Sequence, residues 1–246
     1  SSLGGFAGRL LVGILADLIS WRAGFVALAG IVCTCGLAVI LLLPRERQFV
    51  RATNLAASLR QMLAHLRNPK LLATYAVGFG VLFNFIAVFT YMSFHLAGPP
   101  FFRSAAFIGS IFVVYLAGAA AATLTGKMIA AIGRRTFVLI VLAIWICGIL
   151  LMLIPSVWAI VLGLAIASIC GVLTQASSTS YVAITAQGGT SSAVGLYVTS
   201  FYVGGTFGGW LAGLAYENSG WPATLALVVG MLAIMALIVA TTWKQS

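Results

Sequence analysis

Charged and catalytic side chains are scarce in this sequence. Three acidic residues and two histidines occur among 246 residues, and Asp, Glu, Lys and Arg together make up 7% of the chain. A soluble globular domain typically has about 25% charged residues. Acid–base catalysis or a metal site needs several such side chains close together, and His65 and His95 form no plausible dyad or ligand set. We therefore expect neither an enzyme nor a metal or other cofactor.

Cysteines are also few, and all four lie inside apolar runs. Cys33 and Cys35 are two residues apart, a spacing that points side chains to different sides of a helix. We expect the cysteines to pack as small hydrophobic residues and to form neither a disulfide nor a metal site.

Hydrophobic residues, in contrast, make up 62% of the sequence, and the mean hydropathy is +1.15. A helix needs about 20 apolar residues, each rising ~1.5 Å, to cross a ~30 Å hydrocarbon core. The composition therefore predicts an all-α, polytopic helical bundle in a lipid bilayer. Eight candidate transmembrane helices occupy residues 1–19, 23–43, 70–96, 104–125, 136–154, 157–183, 193–216 and 221–243.

Ten of the thirteen Lys and Arg residues lie in three stretches between these spans or at their ends, and the three stretches fall on one side if every span crosses the membrane. Positive loops beside apolar spans predict the cytoplasmic side, so we expect a cytoplasmic linker and C-terminus, and no binding of nucleic acid. Within the linker, residues 54–67 are predicted to form an amphipathic helix capped by Asn54. The basic residues in these stretches are Arg45, Arg47, Arg51, Arg60, Arg67, Lys70, Lys127, Arg134, Arg135 and Lys244.

One glycine-rich pattern occurs twice, with a constant offset of 200 residues (204 − 4) and no gap. An acid recurs in the same register, as Asp17 and Glu217. A register shared by glycines, an acid and a tryptophan predicts one helical hairpin in two related halves. The other matched pairs are Gly4 and Gly204, Gly8 and Gly208, Gly13 and Gly213, Trp21 and Trp221, and Gly30 and Gly230.

The repeat also predicts the domain organisation. If the two hairpins are equivalent, residues 70–246 form a six-helix half, residues 45–69 a linker, and residues 1–44 the last two helices of a partner half. The partner half then lacks its first four helices, and the whole protein has twelve. Because the chain has no initiator Met and opens inside a helix-like segment, we expect a fragment or a product truncated at its N-terminus.

Two six-helix halves joined by a basic linker resemble the major facilitator superfamily. The loop Gly126-Lys127-Met128-Ile129-Ala130-Ala131-Ile132-Gly133-Arg134-Arg135 resembles that family's cytoplasmic signature, with Ala130 where the signature has an acid. The first span resembles the fifth helix of drug and metabolite efflux members. The resemblance implies helices 5–12 of a transporter in the inner (plasma) membrane.

Polar residues concentrate in two spans, which in family terms are helices 7 and 10 of the central cavity. A polar side chain in a membrane is costly unless it faces protein or water. Asn84 and Gln175 are the sharpest candidates for the substrate pathway, although a helix–helix hydrogen bond explains either amide equally simply. Further candidates in these two spans are Tyr91, Ser178 and Tyr181, and an aromatic wall of Phe83, Phe85, Phe89 and Tyr91 is an alternative to plain packing.

Arg9 is the one basic residue well inside a span. It could bind a substrate anion, pair with an acid on an absent helix, or reach the membrane surface. Glycine pairs such as Gly204 and Gly208 let helices approach closely, and we expect them at the interface between the halves. Asp17 and Glu217 lie at helix ends, where a structural role is expected.

We therefore predict a secondary transporter that moves a small organic solute by alternating access, with efflux and proton coupling as the expected mode. A truncated or non-transporting membrane protein that retains part of the fold is the alternative. A channel is less well supported because no ring of repeated polar residues occurs. No acid lies near mid-membrane in this chain, so a coupling carboxylate would have to lie in the absent helices.

Overall fold

The computed structural model describes residues 2–42, 55–186 and 188–243, and within these ranges all regular structure is helical, as predicted. The ten helices of these ranges are α1 (Ser2–Leu18), α2 (Trp21–Leu42), α3 (Leu55–Leu66), α4 (Pro69–Ala97), α5 (Ala105–Ile111), α6 (Val114–Ala122), α7 (Thr125–Ile132), α8 (Arg134–Leu151), α9 (Val157–Thr185) and α10 (Thr190–Thr242).

Six helical segments of the described ranges are long and apolar enough to cross a membrane. The predicted count of eight is not confirmed by this criterion, for two reasons. Helix α1 has 17 residues and falls just short of the required length. The last two predicted spans both lie in α10, which counts once although its backbone is broken. The fourth predicted span contains α5 and α6, which together form a single candidate span.

Helix α10 is interrupted at Gly220, whose φ of 71° and ψ of −163° are not helical. A glycine tolerates this positive φ because it has no Cβ. Both arms of α10 pack against the same part of α4: a Cβ on Gly78 would overlap the Tyr197 ring, and a Cβ on Gly80 would overlap Met235. The chain therefore reverses at Gly220, and residues 190–219 and 221–242 lie side by side.

Close helix crossings depend on glycine. A Cβ on Gly204 or Gly208 would overlap the carbonyl oxygen of Phe79 or Phe83 on α4. The close approach that the glycine spacing predicts is therefore present. Its location differs from the expected interface between halves, because α4 and α10 both belong to the predicted C-terminal half. The reason is that glycine spacing predicts a close approach without identifying the partner helix.

Helix α1 meets the rest of the bundle through α5 and α6. A Cβ on Gly13 would lie 2.6 Å from the carbonyl oxygen of Ala105, so the two backbones are close. The Asp17 carboxylate accepts hydrogen bonds from the backbone amides of Ala105 (3.1 Å) and Ala106 (2.8 Å). These amides belong to the first turn of α5, which Ser104 also caps. Asp17 therefore joins α1 to the N-terminus of α5, in the structural role expected for it.

We predict that Asp17→Ala lowers the stability of the protein by about 1–2 kcal/mol, because two amides at a helix N-terminus lose a charged acceptor. Asp17→Asn keeps one carbonyl oxygen and should cost roughly half as much. Thermal unfolding of the purified protein in detergent measures both effects. Equal melting temperatures for wild type and Asp17→Ala would show that the contact contributes nothing.

The linker is described only in part. Helix α3 agrees with the predicted amphipathic helix, and the Asn68 side chain accepts from the Lys70 amide at the start of α4. A Cβ on Gly189 would overlap the Gln61 side chain, so α3 contacts the turn that precedes α10. The predicted cap and four of the basic residues lie outside the described residues: Asn54, Arg45, Arg47, Arg51 and Lys244.

Candidate substrate pathway

A cavity of about 200 Å³ lies among α1, α4, α6, α9 and α10. Gln175 on α9 and Ser168, two helical turns earlier, supply its polar side chains. The Ser168 hydroxyl is buried and has no hydrogen-bond partner among the described residues. The rest of the lining is apolar or glycine, and its aromatic members are Phe85, Tyr115 and Phe201. Such a space can hold a small organic molecule and offer it the Gln175 amide, whereas the Ser168 hydroxyl is covered and lies against Gly118 on α6.

Aromatic rings form one wall of this cavity. The Phe85 and Tyr115 ring centroids are 5.2 Å apart, and Phe89 lies 4.5 Å from Phe85 and 4.9 Å from Tyr115. Of the aromatic residues predicted as a wall, Phe85 lines the cavity and Phe89 supports it from behind. Phe83 lies elsewhere, fully buried beside Gly208 at the crossing of α4 and α10.

Arg9 lies in a second, larger groove of about 740 Å³ among α1, α2, α4 and α5. Its guanidinium carbon is 4.4 Å from the Phe112 ring centroid and 5.6 Å from that of Tyr115. Tyr115 also borders the first cavity, and Gly5 lines both spaces. The structure thus brings Arg9 and Gln175 to opposite sides of one aromatic partition.

Asn84 is placed away from both spaces. It is completely buried, and its Nδ2 donates to the Met235 sulfur on α10 at 3.4 Å. Its Oδ1 has no partner among the described residues. Asn84 therefore contacts the packed interior between α4 and α10, and a role in the pathway stays a prediction.

The other three predicted pathway residues each make a structural contact. The Tyr91 hydroxyl donates to the Gly209 carbonyl at 2.8 Å, and the Ser178 hydroxyl donates to the Thr174 carbonyl of its own helix at 2.8 Å. Tyr181 packs against Trp243, with a centroid distance of 4.7 Å. Neither the cavity nor the groove includes any of the three in its lining.

The signature loop anchors three helices at one end of the bundle. Gly133, at φ 79°, ends α7 and begins α8. Arg134 donates to the Ser177 carbonyl at 2.7 Å and to the Ser180 hydroxyl on α9, and Arg135 donates to the Ala240 carbonyl on α10 at 2.6 Å. Gly126 and Lys127 are exposed. The two arginines therefore hold α8 against its neighbours through carbonyl oxygens.

Tyr115 is the cavity residue that sequence reasoning missed. The other residues of α6 are alanine, glycine and aliphatic residues, so the single tyrosine of this helix was an available signal. Among the described residues, no group of three or more His, Cys, Asp or Glu side chains could hold a metal ion.

Comparison with known proteins gives a consistent set of similarities. The family model described as Major Facilitator Superfamily matches residues 101–245. The chain is 27% identical over all 246 residues to an uncharacterized transporter of Buchnera aphidicola subsp. Schizaphis graminum, covering 59% of that protein. It is 26% identical to the uncharacterized MFS-type transporter YybF of Bacillus subtilis, over 97% of this chain and 58% of that one.

A third relative is the inner membrane transport protein YnfM of Escherichia coli. The identity is 29% over 242 residues, which are 97% of this chain and 57% of that protein. The chain therefore spans less than two thirds of the length of the curated relatives it matches.

Proposed function

Because this chain belongs to the major facilitator superfamily, we propose that the intact protein is a secondary transporter that moves a small organic solute by alternating access. The cavity around Gln175 is then part of the solute's path. The transporter similarities support membrane transport in general, and the solute, direction and coupling are part of this proposal.

One observation carries the proposal: an amide side chain, that of Gln175, lines a cavity inside an apolar membrane bundle. Gln175 is the nineteenth of 29 residues in α9, so its amide is far from both ends of the helix. A polar group at that depth favours a pathway role.

The repeat supports a protein of two halves. Gly204 and Gly208 pack on α4, whereas a Cβ on Gly4 would meet nothing within 4 Å. Gly4 and Gly8 line the 740 Å³ groove instead. By the register of the repeat, a helix equivalent to α4 belongs in that groove. We propose that the first four helices of the intact protein supply it, and that residues 1–44 and 70–246 belong to different halves.

We further propose that the end of the bundle carrying Arg134 and Arg135 faces the cytoplasm, together with the linker and the C-terminus. The membrane is then the inner (plasma) membrane. Efflux coupled to protons remains the expected mode, and the carboxylate that carries the proton belongs to the proposed additional helices.

The proposal predicts that Gln175→Ala lowers transport by about tenfold or more, at unchanged abundance in the membrane, because a hydrogen bond to the moving solute is lost. A cell strain that expresses the intact protein is first tested for growth against a panel of toxic organic compounds. Efflux of a compound against which the wild type protects is then measured for the variant. Thr174→Val, at the preceding residue of α9, is the matched control because that hydroxyl bonds within its own helix.

Normal efflux by Gln175→Ala would remove this cavity from the path. If the wild type protects against no compound in the panel and moves none of them in vesicles, the alternative of a non-transporting membrane protein is favoured. Asn84→Leu is measured in the same experiment. Leucine is apolar and has nearly the same shape as asparagine, so the variant should fold normally if Asn84 only packs against α10.

A further inference from the structure

We infer that the fourth predicted span contains a hinge at Phe112 and Val113, and that its first arm, α5, is a gate between the two halves. The gate opens when α5 bends away from α1 while the second arm, α6, stays packed on α9. The inference rests on the proposed function and adds a moving part to it. It depends on the backbone of this span and on the different neighbours of its two arms.

The α-helical hydrogen-bonding pattern of this span stops at Phe112 and Val113, halfway along its 18 residues. Both amides donate to the carbonyl oxygen three residues back, at 3.3 and 3.0 Å, and so does the amide of Tyr115 at 3.0 Å. An α-helical amide donates four residues back, so the two arms are joined by a short 3₁₀ turn. Such a turn inside a helix often marks a hinge, and it keeps the amides bonded, as lipid requires.

A glycine–serine pair, Gly109-Ser110, directly precedes this turn. The Ser110 hydroxyl donates to the Phe107 carbonyl at 2.7 Å, an oxygen that in a regular α-helix accepts the amide four residues further on. Hydroxyls bonded in this way often bend helices, and glycine–serine pairs are common sites of kinks. The span contains no proline, whose ring would prevent a straight helix, so its backbone can be either bent or straight.

The two arms of the span are held by different helices. In α5, a Cβ on Gly109 would lie 2.9 Å from the Arg9 carbonyl oxygen of α1, and the Asp17 carboxylate of α1 binds the first two amides of α5. In α6, a Cβ on Gly118 would lie 2.9 Å from the Ser168 carbonyl oxygen of α9. Backbone therefore meets backbone on both sides of the 3₁₀ turn, but the partner helix changes.

This change of partner coincides with the proposed boundary between the halves. Helix α1 belongs to one half, and α6 and α9 belong to the other. A movement between the halves therefore strains α5, and the 3₁₀ turn yields first because its hydrogen bonds have poorer geometry than those of the arms. The cavity wall stays in place, since Tyr115 lies beyond the turn and packs against Phe85 and Phe89 of α4.

Distances within one half of the intact protein test the hinge, and pulsed electron paramagnetic resonance measures them. Spin labels are placed at Phe102, just before α5, and at Trp158, near the start of α9, which are 72% and 80% exposed. A bend of about 20° in an arm ~12 Å long moves its far end by roughly 4 Å. We expect two distances between these labels, separated by about this amount, because α5 moves relative to α9.

A second pair of labels is the control for this measurement. Phe94 near the end of α4 is 59% exposed, and no part of the hinge lies between α4 and α9. Labels at Phe94 and Trp158 should therefore give one distance. Two distances for this pair as well would show that the half deforms elsewhere, which contradicts the inference.

Asp17→Ala should favour the open gate, because α5 loses its charged acceptor on α1. The ratio of the second distance between Phe102 and Trp158 to the distance that matches the structure should rise by about fivefold. Ser104→Ala is the matched variant, because the Ser104 hydroxyl accepts the Phe107 amide and caps the same end of α5 within its own segment. This variant should leave the ratio unchanged, and an equal rise in both variants would contradict the gate.

A single distance between Phe102 and Trp158, in the wild type and in Asp17→Ala, would overturn the inference. If labels at Leu18 and Phe102 nevertheless give two distances, the halves move as rigid bodies and the proposed function stands without a hinge. The proposed function itself depends on the Gln175→Ala efflux measurement, so the two can fail separately.

Discussion

Replacing Gly204 and Gly208 together with alanine should leave little folded protein in the membrane. A Cβ on either residue would overlap a backbone carbonyl oxygen of α4, that of Phe79 or that of Phe83. Overpacking costs about 1–3 kcal/mol per site where neighbouring side chains can adjust. Here the neighbouring atoms are backbone, so α4 and α10 must move apart along their whole contact. The folded fraction is measured by size-exclusion chromatography after extraction in a mild detergent.

Gly230→Ala is the matched control. It lies in the other arm of α10, and a Cβ at this position would meet nothing within 4 Å. Since alanine favours a helix over glycine by about 1 kcal/mol, this variant should be at least as stable as the wild type. A normal monodisperse peak for the double variant would contradict the described crossing of α4 and α10.

Arg134→Gln should destabilise the protein by about 2 kcal/mol, because hydrogen bonds from a charged donor are worth roughly 1.5–3 kcal/mol. The guanidinium donates to the Ser177 carbonyl and the Ser180 hydroxyl, and it lies 5.5 Å from the centroid of the Tyr181 ring. The shorter glutamine side chain loses the charge and the stacking. Thermal unfolding in detergent measures the difference.

Lys127→Gln controls for the loss of positive charge in the same loop. Lys127 is exposed, so its replacement should leave the melting temperature within experimental error. If both variants are destabilised equally, the effect of Arg134 comes from net charge and not from its carbonyl partners. Low salt would then increase both effects, whereas the bonds to α9 depend little on ionic strength.

Element type and helix positions were largely predictable from the sequence. A helix pairs all backbone N–H and C=O groups of an apolar span within the span, which lipid requires. Helix α4 begins after the capping Asn68 at Pro69 and ends before Gly98, as these residue types predict. The predicted count of eight spans is not confirmed. Helix α1 is slightly too short to count as a span, and α10 counts once although Gly220 breaks its backbone. Membership of the transporter family also followed from the repeat and the signature loop.

The direction in which a polar residue points was not predictable in the same way. Asn84 and Gln175 are both single amides in apolar helices, yet Asn84 contacts Met235 in the interior and Gln175 lines a cavity. Helices α4 and α9 are surrounded by other helices on several sides. Their sequences therefore show no single apolar face that would tell which residues face lipid, protein or the cavity. Only the packing of neighbouring helices decides which polar residue reaches open space.

The same limit applies to the glycines and to Arg134. Spacing predicted a close helix contact at Gly204 and Gly208 but not that α4 is the partner. The Gly-Arg-Arg sequence predicted a cytoplasmic loop, and the bonds from Arg134 to α9 depend on a helix that lies 43 residues away in the chain. Local sequence carries no information on contacts of this range.

The most direct test of two halves that rock against each other is a distance measurement by pulsed electron paramagnetic resonance. Spin labels are placed at Leu18, at the end of α1, and at Phe102, just before α5, which are 76% and 72% exposed. The exposed cysteines at 33, 35 and 147 are first replaced by serine. The account predicts two distances between the labels in the intact protein. The shorter one matches the closed contact between Asp17 and α5, and the longer one an open contact. The ratio of the two populations changes when a transported compound is added. A single distance, unchanged by every transported compound, would contradict it.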